Sequence, residues 1–270
     1  MAMDKTGYAA LDRPEVVRRL FHPRPEEGIR LTRSEGGAID VLIPVEKDIA
    51  IGGRFHVAGK TFPNILFFHG NGEIVADYDD LAAAYNRLGL NFLPVDYRGY
   101  GRSSGSPTVS SMMQDSHSIF RFVKGWLEEQ GHSGPLILMG RSLGSAPALE
   151  LACKVQDQVD ALILESAFAR AEPLLTLLGI DLQAIGFREK DGFRNLDKIR
   201  EFLGPTLIIH AENDHIIPFS EGTDLFEASG ADEKRLVKIP RANHNDIFVR
   251  GLSLYMESIG ILASCLPTSG

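Results

Sequence analysis

A chain of 270 residues, 44% apolar and 24% charged, is long enough for one large α/β domain with a sizeable core. Its net charge of −8, with no block of basic residues, disfavours nucleic acid or an anionic membrane as the main partner. Two cysteines, Cys153 and Cys265, are too few for a disulfide framework, and no uninterrupted apolar run approaches the roughly 20 residues of a membrane helix.

The polar start, residues 1–13, lacks the apolar core of a signal peptide, so a cytoplasmic protein is the simplest expectation. Residues 14–21 read as a short helix followed by Pro23 and Pro25, part of an N-terminal arm (1–30) packed on the domain without chemistry of its own. Residues 29–32, 38–44 and 49–57 alternate loosely and predict antiparallel strands leading into a sheet. After Pro63 the pattern changes. The continuous apolar run at 64–68 predicts a strand covered on both faces, 91–97 reads as the next strand, and buried apolar strands follow at 136–140, 161–165 and 206–210, with a last strand at 235–239. Pro94 sits awkwardly inside the second of them. Helical stretches separate the runs, at 77–88, 111–129, 148–155, 220–228 and 246–262. This alternation predicts an α/β fold: a mostly parallel sheet of about eight strands with helices on both faces. One stretch departs from it. Residues 169–204 carry apolar side chains at three- and four-residue intervals (Leu174, Leu177, Leu178; Leu182, Ile185) and predict a small helical cap over the sheet edge.

Within this pattern, Gly140-Arg141-Ser142-Leu143-Gly144 ends the strand at 136–140 and opens the helix at 148–155. A serine hydroxyl is a poor nucleophile unless it is held out from the backbone, near a base and beside hydrogen-bond donors. A sharp strand-to-helix turn does this, and it leaves positions 140 and 144 little room for a side chain. Pro147 stands close to where a proline stops being harmless, so the helix is expected to begin late or to open with a tighter turn. The serine needs a base and the base a carboxylate. Asp214 follows the strand ending at His210, and His244 follows the strand ending at Ile239, so both fall on the edge where Ser142 emerges. Glu165, at the end of another strand, is the alternative acid.

Other groupings read as structural. Gly99, Gly101 and Gly105 miss the spacing of a dinucleotide loop. Adjacent Asp214 and His215 aim poorly at one metal ion, so neither metal nor cofactor is expected. His215 reads as a pocket wall or surface residue. His69 is expected to support its own turn, and Arg98, Arg102 and Arg141 to hold loops by ion pairs.

From about residue 40 to residue 262 the chain resembles the α/β-hydrolase fold family. The resemblance rests on His69-Gly70-Asn71-Gly72, Asp96-Tyr97-Arg98-Gly99-Tyr100-Gly101-Arg102-Ser103, Gly140-Arg141-Ser142-Leu143-Gly144, Asp214-His215-Ile216-Ile217-Pro218 and Asn243-His244. The subset with these motifs includes bacterial hydrolases of unassigned substrate and relatives of mammalian membrane-associated serine hydrolases, some similar to depalmitoylases. It implies Ser142 as nucleophile, His244 as base, Asp214 as acid, and an oxyanion hole from the backbone N–H groups of Asn71 and Leu143. A single domain over residues 1–270 that cleaves a small-molecule ester or thioester with an apolar acyl group is the expectation. A peptidase or amidase of the same fold and a non-catalytic binding protein are the rivals.

Overall fold

The computed structural model describes residues 7–27 and 38–267; the strand expected at 29–32 lies outside them. Eight strands form one sheet: β1 (Ala38–Glu46), β2 (Ile49–His56), β3 (Asn64–Phe68), β4 (Asn91–Val95), β5 (Leu136–Arg141), β6 (Ala161–Glu165), β7 (Thr206–Ala211) and β8 (Lys234–Ile239). Their spatial order is β1-β2-β4-β3-β5-β6-β7-β8, with β1–β2 and β2–β4 antiparallel and the remaining neighbours parallel. Pro94 is tolerated because pairing with β2 is held on either side of it, at Phe92↔His56 and Val95↔Gly53.

The apolar runs are continuous because alternate residues serve opposite faces. Leu66 and Phe68 of β3 enter one core with Leu138, Leu164 and Ile208, while Ile65 and Phe67 enter the other with Ile137, Met139, Ile163, Leu207 and Ile209. The first core is closed by α1 (Pro14–Leu20), α3 (Val109–Glu129) and α4 (Ser145–Lys154). The second is closed by α2 (Asp79–Arg87) and the last helix (Ile247–Ser264). Thr108 starts α3 two residues earlier than periodicity suggests, its hydroxyl accepting from Ser111 N at 3.0 Å.

Residues 169–204 contain two short helices, α5 (Ala171–Leu177) and α6 (Asn195–Glu201). Leu175, Ile180, Ile185, Phe187, Phe193 and Ile199 are buried in the first core, alongside Leu11, Val16, Leu20 and Phe21 of the arm. Only part of the stretch stands apart from the helical layers, because α6 packs against α4 and against α7 (Phe219–Ala228). Arm and stretch are tied by Arg19 Nη1 donating to Leu178 O (2.6 Å) and Arg13 Nη1 to Ala184 O (3.2 Å). The last helix, α8, is by length and composition able to cross a membrane, although Arg250 and Glu257 interrupt it. Here its Tyr255, Met256 and Ile259 are buried in the second core.

Candidate active site

The sheet order reverses direction at β3, whose neighbours β4 and β5 lie on opposite sides, and a crevice forms where strands part at such a point. Ser142 stands at the end of β5 with φ +50°, a strained value for a residue with a side chain. A Cβ at Gly140 would lie 2.2 Å from Gly144 O, and one at Gly144 would lie 2.1 Å from Phe68 O, so the turn closes only with glycine at both places. The tighter opening is present as a 3₁₀ turn, Ser142–Gly144. Pro147 thereby becomes the third residue of α4, where an N–H has no partner within the helix.

The structure brings Ser142, His244 and Asp214 together. Asp214 Oδ1 accepts from the N–H groups of Ile216 (3.0 Å) and Ile217 (2.8 Å), which aims Oδ2 at His244 Nδ1, 2.7 Å away. The histidine proton therefore sits on Nδ1, and Nε2 faces Ser142 Oγ at 3.0 Å as an acceptor. Burial would raise the Asp214 pKa, but the His244 hydrogen bond and charge, with the two amides, hold it below the ordinary value. Glu165 lies elsewhere, accepting from Arg141 Nη1 (2.5 Å) and Tyr255 OH (2.7 Å). His215 is exposed. His69 supports its turn, with Nδ1 2.8 Å from Gly70 O and Nε2 3.2 Å from Asp96 Oδ1.

Leu143 directly follows the serine, and the loop that leads to Asn71 packs on the elbow, where a Cβ at Gly144 would lie 2.7 Å from His69 O. Two features of this region go beyond the sequence reading, which expected an ion pair for Arg141 but named no partner. Glu73 bonds Gly70 N (2.7 Å) and Tyr78 OH (2.6 Å) through Oε2, and Arg141 Nε (2.7 Å) through Oε1. Arg141 also donates from Nη2 to the main-chain carbonyl of His244 (2.9 Å). Burial would raise the Glu73 pKa, but the Arg141 charge and the hydrogen bonds bring it down to about 2. Second, the arm reaches the Asn71 side chain, a contact the sequence reading did not foresee. A histidine set between Leu20-Phe21 and the prolines Pro23 and Pro25 was the available signal.

Arg98 pairs with Asp115 (2.7 Å) and Glu46 (2.9 Å), and Arg102 with Asp40 (2.7 Å). Among the described residues no three His, Cys, Asp or Glu side chains are grouped to hold a metal ion. The Cys153 thiol is pushed up to about 11 by burial and by its hydrogen bond to Glu201, far from nucleophilic form at neutral pH.

A family model described as serine aminopeptidase, S33, matches residues 59–185. The chain is 30% identical to protein bem46 of Schizosaccharomyces pombe over 188 residues, 68% of this chain and 62% of that protein. It is 31% identical to the uncharacterized protein Rv2307c of Mycobacterium tuberculosis over 213 residues, 77% and 72% of the two chains. With the lysophosphatidylserine lipase ABHD12 of Xenopus tropicalis it shares 31% over 222 residues, 74% of this chain and 55% of the lipase. The chain thus spans less than two thirds of bem46 and of the lipase. In fold it is similar to the Pyrococcus furiosus esterase Pf2001 (TM-score 0.72, 16% identity, 91% of this chain and 99% of that one). It is also similar to Est1E of Butyrivibrio proteoclasticus with ferulic acid bound (TM-score 0.68, 19% identity, 82% and 96%). Sheet order, elbow and relatives agree, and the chain belongs to the α/β-hydrolase superfamily of hydrolytic enzymes.

Proposed function

We propose that this hydrolase is a metal-independent serine enzyme that cleaves a carboxylic ester or thioester of a small molecule. One observation carries the reading: the unbroken hydrogen-bond chain from Asp214 Oδ2 through His244 to Ser142 Oγ, at 2.7 and 3.0 Å. Ser142 Oγ attacks the carbonyl carbon as His244 Nε2 takes its proton, and the carbonyl oxygen becomes an oxyanion held by the N–H groups of Leu143 and Asn71. The tetrahedral adduct collapses when His244 returns the proton to the leaving oxygen or sulfur. Water, deprotonated by the same histidine, then releases the acid from the acyl-enzyme. Asp214 keeps the proton on Nδ1 and stabilises the imidazolium. A relative with lipase in its name and a solved esterase of the same fold support an ester substrate. The family description names an aminopeptidase, which keeps amide cleavage as the second reading. A cytoplasmic setting, in keeping with the net charge of −8 and the two free cysteines, is part of the proposal.

The acyl group is proposed to lie against the 171–186 stretch, where Leu174 and Leu178 are half-buried and Leu177 is 56% exposed. Each buried methylene contributes up to about 0.8 kcal/mol. Matched p-nitrophenyl esters, thioesters and p-nitroanilides of graded length test both parts. Expected are ester or thioester turnover well above anilide turnover, kcat/KM rising from acetyl to butyryl or hexanoyl, and no activity in Ser142→Ala. Preferred anilides would favour the amidase, full activity in Ser142→Ala would remove the mechanism, and acetyl esters as the best substrates would end the apolar-pocket idea.

A further inference from the structure

Glu73 holds the loop at Gly70, but Asn71 itself stands between two glycines, Gly70 and Gly72, and Gly72 takes φ +76°. An oxyanion donor acts through preorganisation, so a displacement of about half an ångström removes much of its effect. Something outside the loop must hold it.

The arm does so at two points. Leu20 and Phe21 are buried in the first core, and this anchorage sets His22 against Asn71. His22 N donates to Asn71 Oδ1 (2.8 Å), and Asn71 Nδ2 donates to His22 Nδ1 (3.0 Å). Tyr100 OH completes the set, donating to Asn71 Oδ1 (2.8 Å) and accepting from His22 N (2.8 Å). Both ends of the Asn71 amide are thus occupied by His22 and Tyr100. Two residues on, Arg24 Nε donates to Gly72 O (2.8 Å), and Arg24 also pairs with Asp77. The arm's own course is fixed by Gly101, whose N–H donates to Arg24 O (2.9 Å) and whose carbonyl accepts from Glu26 N (3.1 Å).

We infer that His22 and Arg24 are positioning residues for the oxyanion-hole amide of Asn71, which makes the N-terminal arm a working part of the active site. The inference rests on the serine-hydrolase reading above. A histidine that merely fastened the arm would act on stability. A histidine that sets the Asn71 N–H acts on the transition state and leaves substrate binding alone.

The test compares the full-length protein with His22→Ala, His22→Asn, Asn71→Ala and the His22→Ala/Asn71→Ala pair. Three quantities are read: kcat and KM on a p-nitrophenyl ester, Ki for a trifluoromethyl ketone whose serine adduct carries an oxyanion, and Tm. Removing a whole oxyanion donor costs about 100- to 1,000-fold in kcat, so misplacing one in His22→Ala should cost about 10- to 100-fold. KM and Tm should hardly move, and the ketone should weaken by the same factor as kcat falls. In His22→Asn an amide oxygen replaces Nδ1 as acceptor and should restore most of the activity. The double variant should be no slower than Asn71→Ala alone, since Asn71→Ala already removes the bond to Nδ1 that His22→Ala breaks. An unchanged kcat and Ki in His22→Ala, or a loss confined to Tm, would overturn the inference while leaving the serine-hydrolase reading intact. Absence of both ester turnover and fluorophosphonate labelling in the unaltered protein would overturn the two together.

Discussion

Arg141 ends β5 after Gly140 and precedes the serine, yet its guanidinium turns back into the protein. There it joins Glu73 from the loop after β3, Glu165 at the end of β6 and the carbonyl of His244. One buried cation thus links the oxyanion loop to the base. An ion pair was foreseeable for this arginine, but its partners were not: they lie 68 and 24 residues away, beyond any helical or strand period. The same geometry separates the two carboxylates that the sequence left in competition. Asp214 accepts the His244 Nδ1 proton, whereas Glu165 serves Arg141 and Tyr255, and burial raises its pKa. Asp214→Asn is therefore expected to lower kcat by about four orders of magnitude, as a wrong-tautomer substitution does, and Glu165→Gln to stay within about tenfold of the unaltered enzyme. Steady-state kinetics on one ester check this, with a larger loss in the Glu165 variant as the contrary outcome.

At the scale of elements, the strand after Pro63 and the turn after β5 were legible because each obeys a strong local constraint. Strands buried on both faces are continuously apolar, and the elbow admits only glycine at 140 and 144. The elbow constraint is testable on stability alone. Gly144→Ala drives a methyl group into Phe68 O and should cost about 3 kcal/mol or more, whereas Gly125→Ala in α3 meets nothing within 4 Å and should add about 0.5–1 kcal/mol. Urea unfolding of the two variants reads both, and equal stabilities would contradict the close-packed turn. Less was legible in the arm and in residues 169–204. With seven residues each, α1, α5 and α6 are too short to establish a period, and their side-chain partners come from distant parts of the chain. Hence α6 emerges as a layer helix, and the arm as a neighbour of Asn71.

For the whole molecule, the buried ion pairs set the response to acid. Glu73 and Glu150 are each held at about 2: burial would raise them, but Arg141 outweighs it for the first, and His117 and Lys198 for the second. A carboxyl group at about 4.5 when unfolded and about 2 when folded contributes stability above pH 4.5, and that contribution is lost as pH falls toward 2. Glu165, raised by burial, acts in the opposite sense and makes the net slope shallower. Urea midpoints should therefore be level near neutrality and fall steadily below about pH 4.5, with a flatter decline in Glu150→Gln. A midpoint that rises on acidification would contradict this assignment of charges. The charge network, the parallel sheet and the elbow all converge on the Ser142 hydroxyl, and that atom can be interrogated directly. A fluorophosphonate should add once per chain, with the adduct mapped by peptide mass spectrometry to Ser142, and Ser142→Ala should take up none. Undiminished labelling of Ser142→Ala, or an adduct on any other residue of the unaltered protein, would contradict the assignment of Ser142 as the nucleophile.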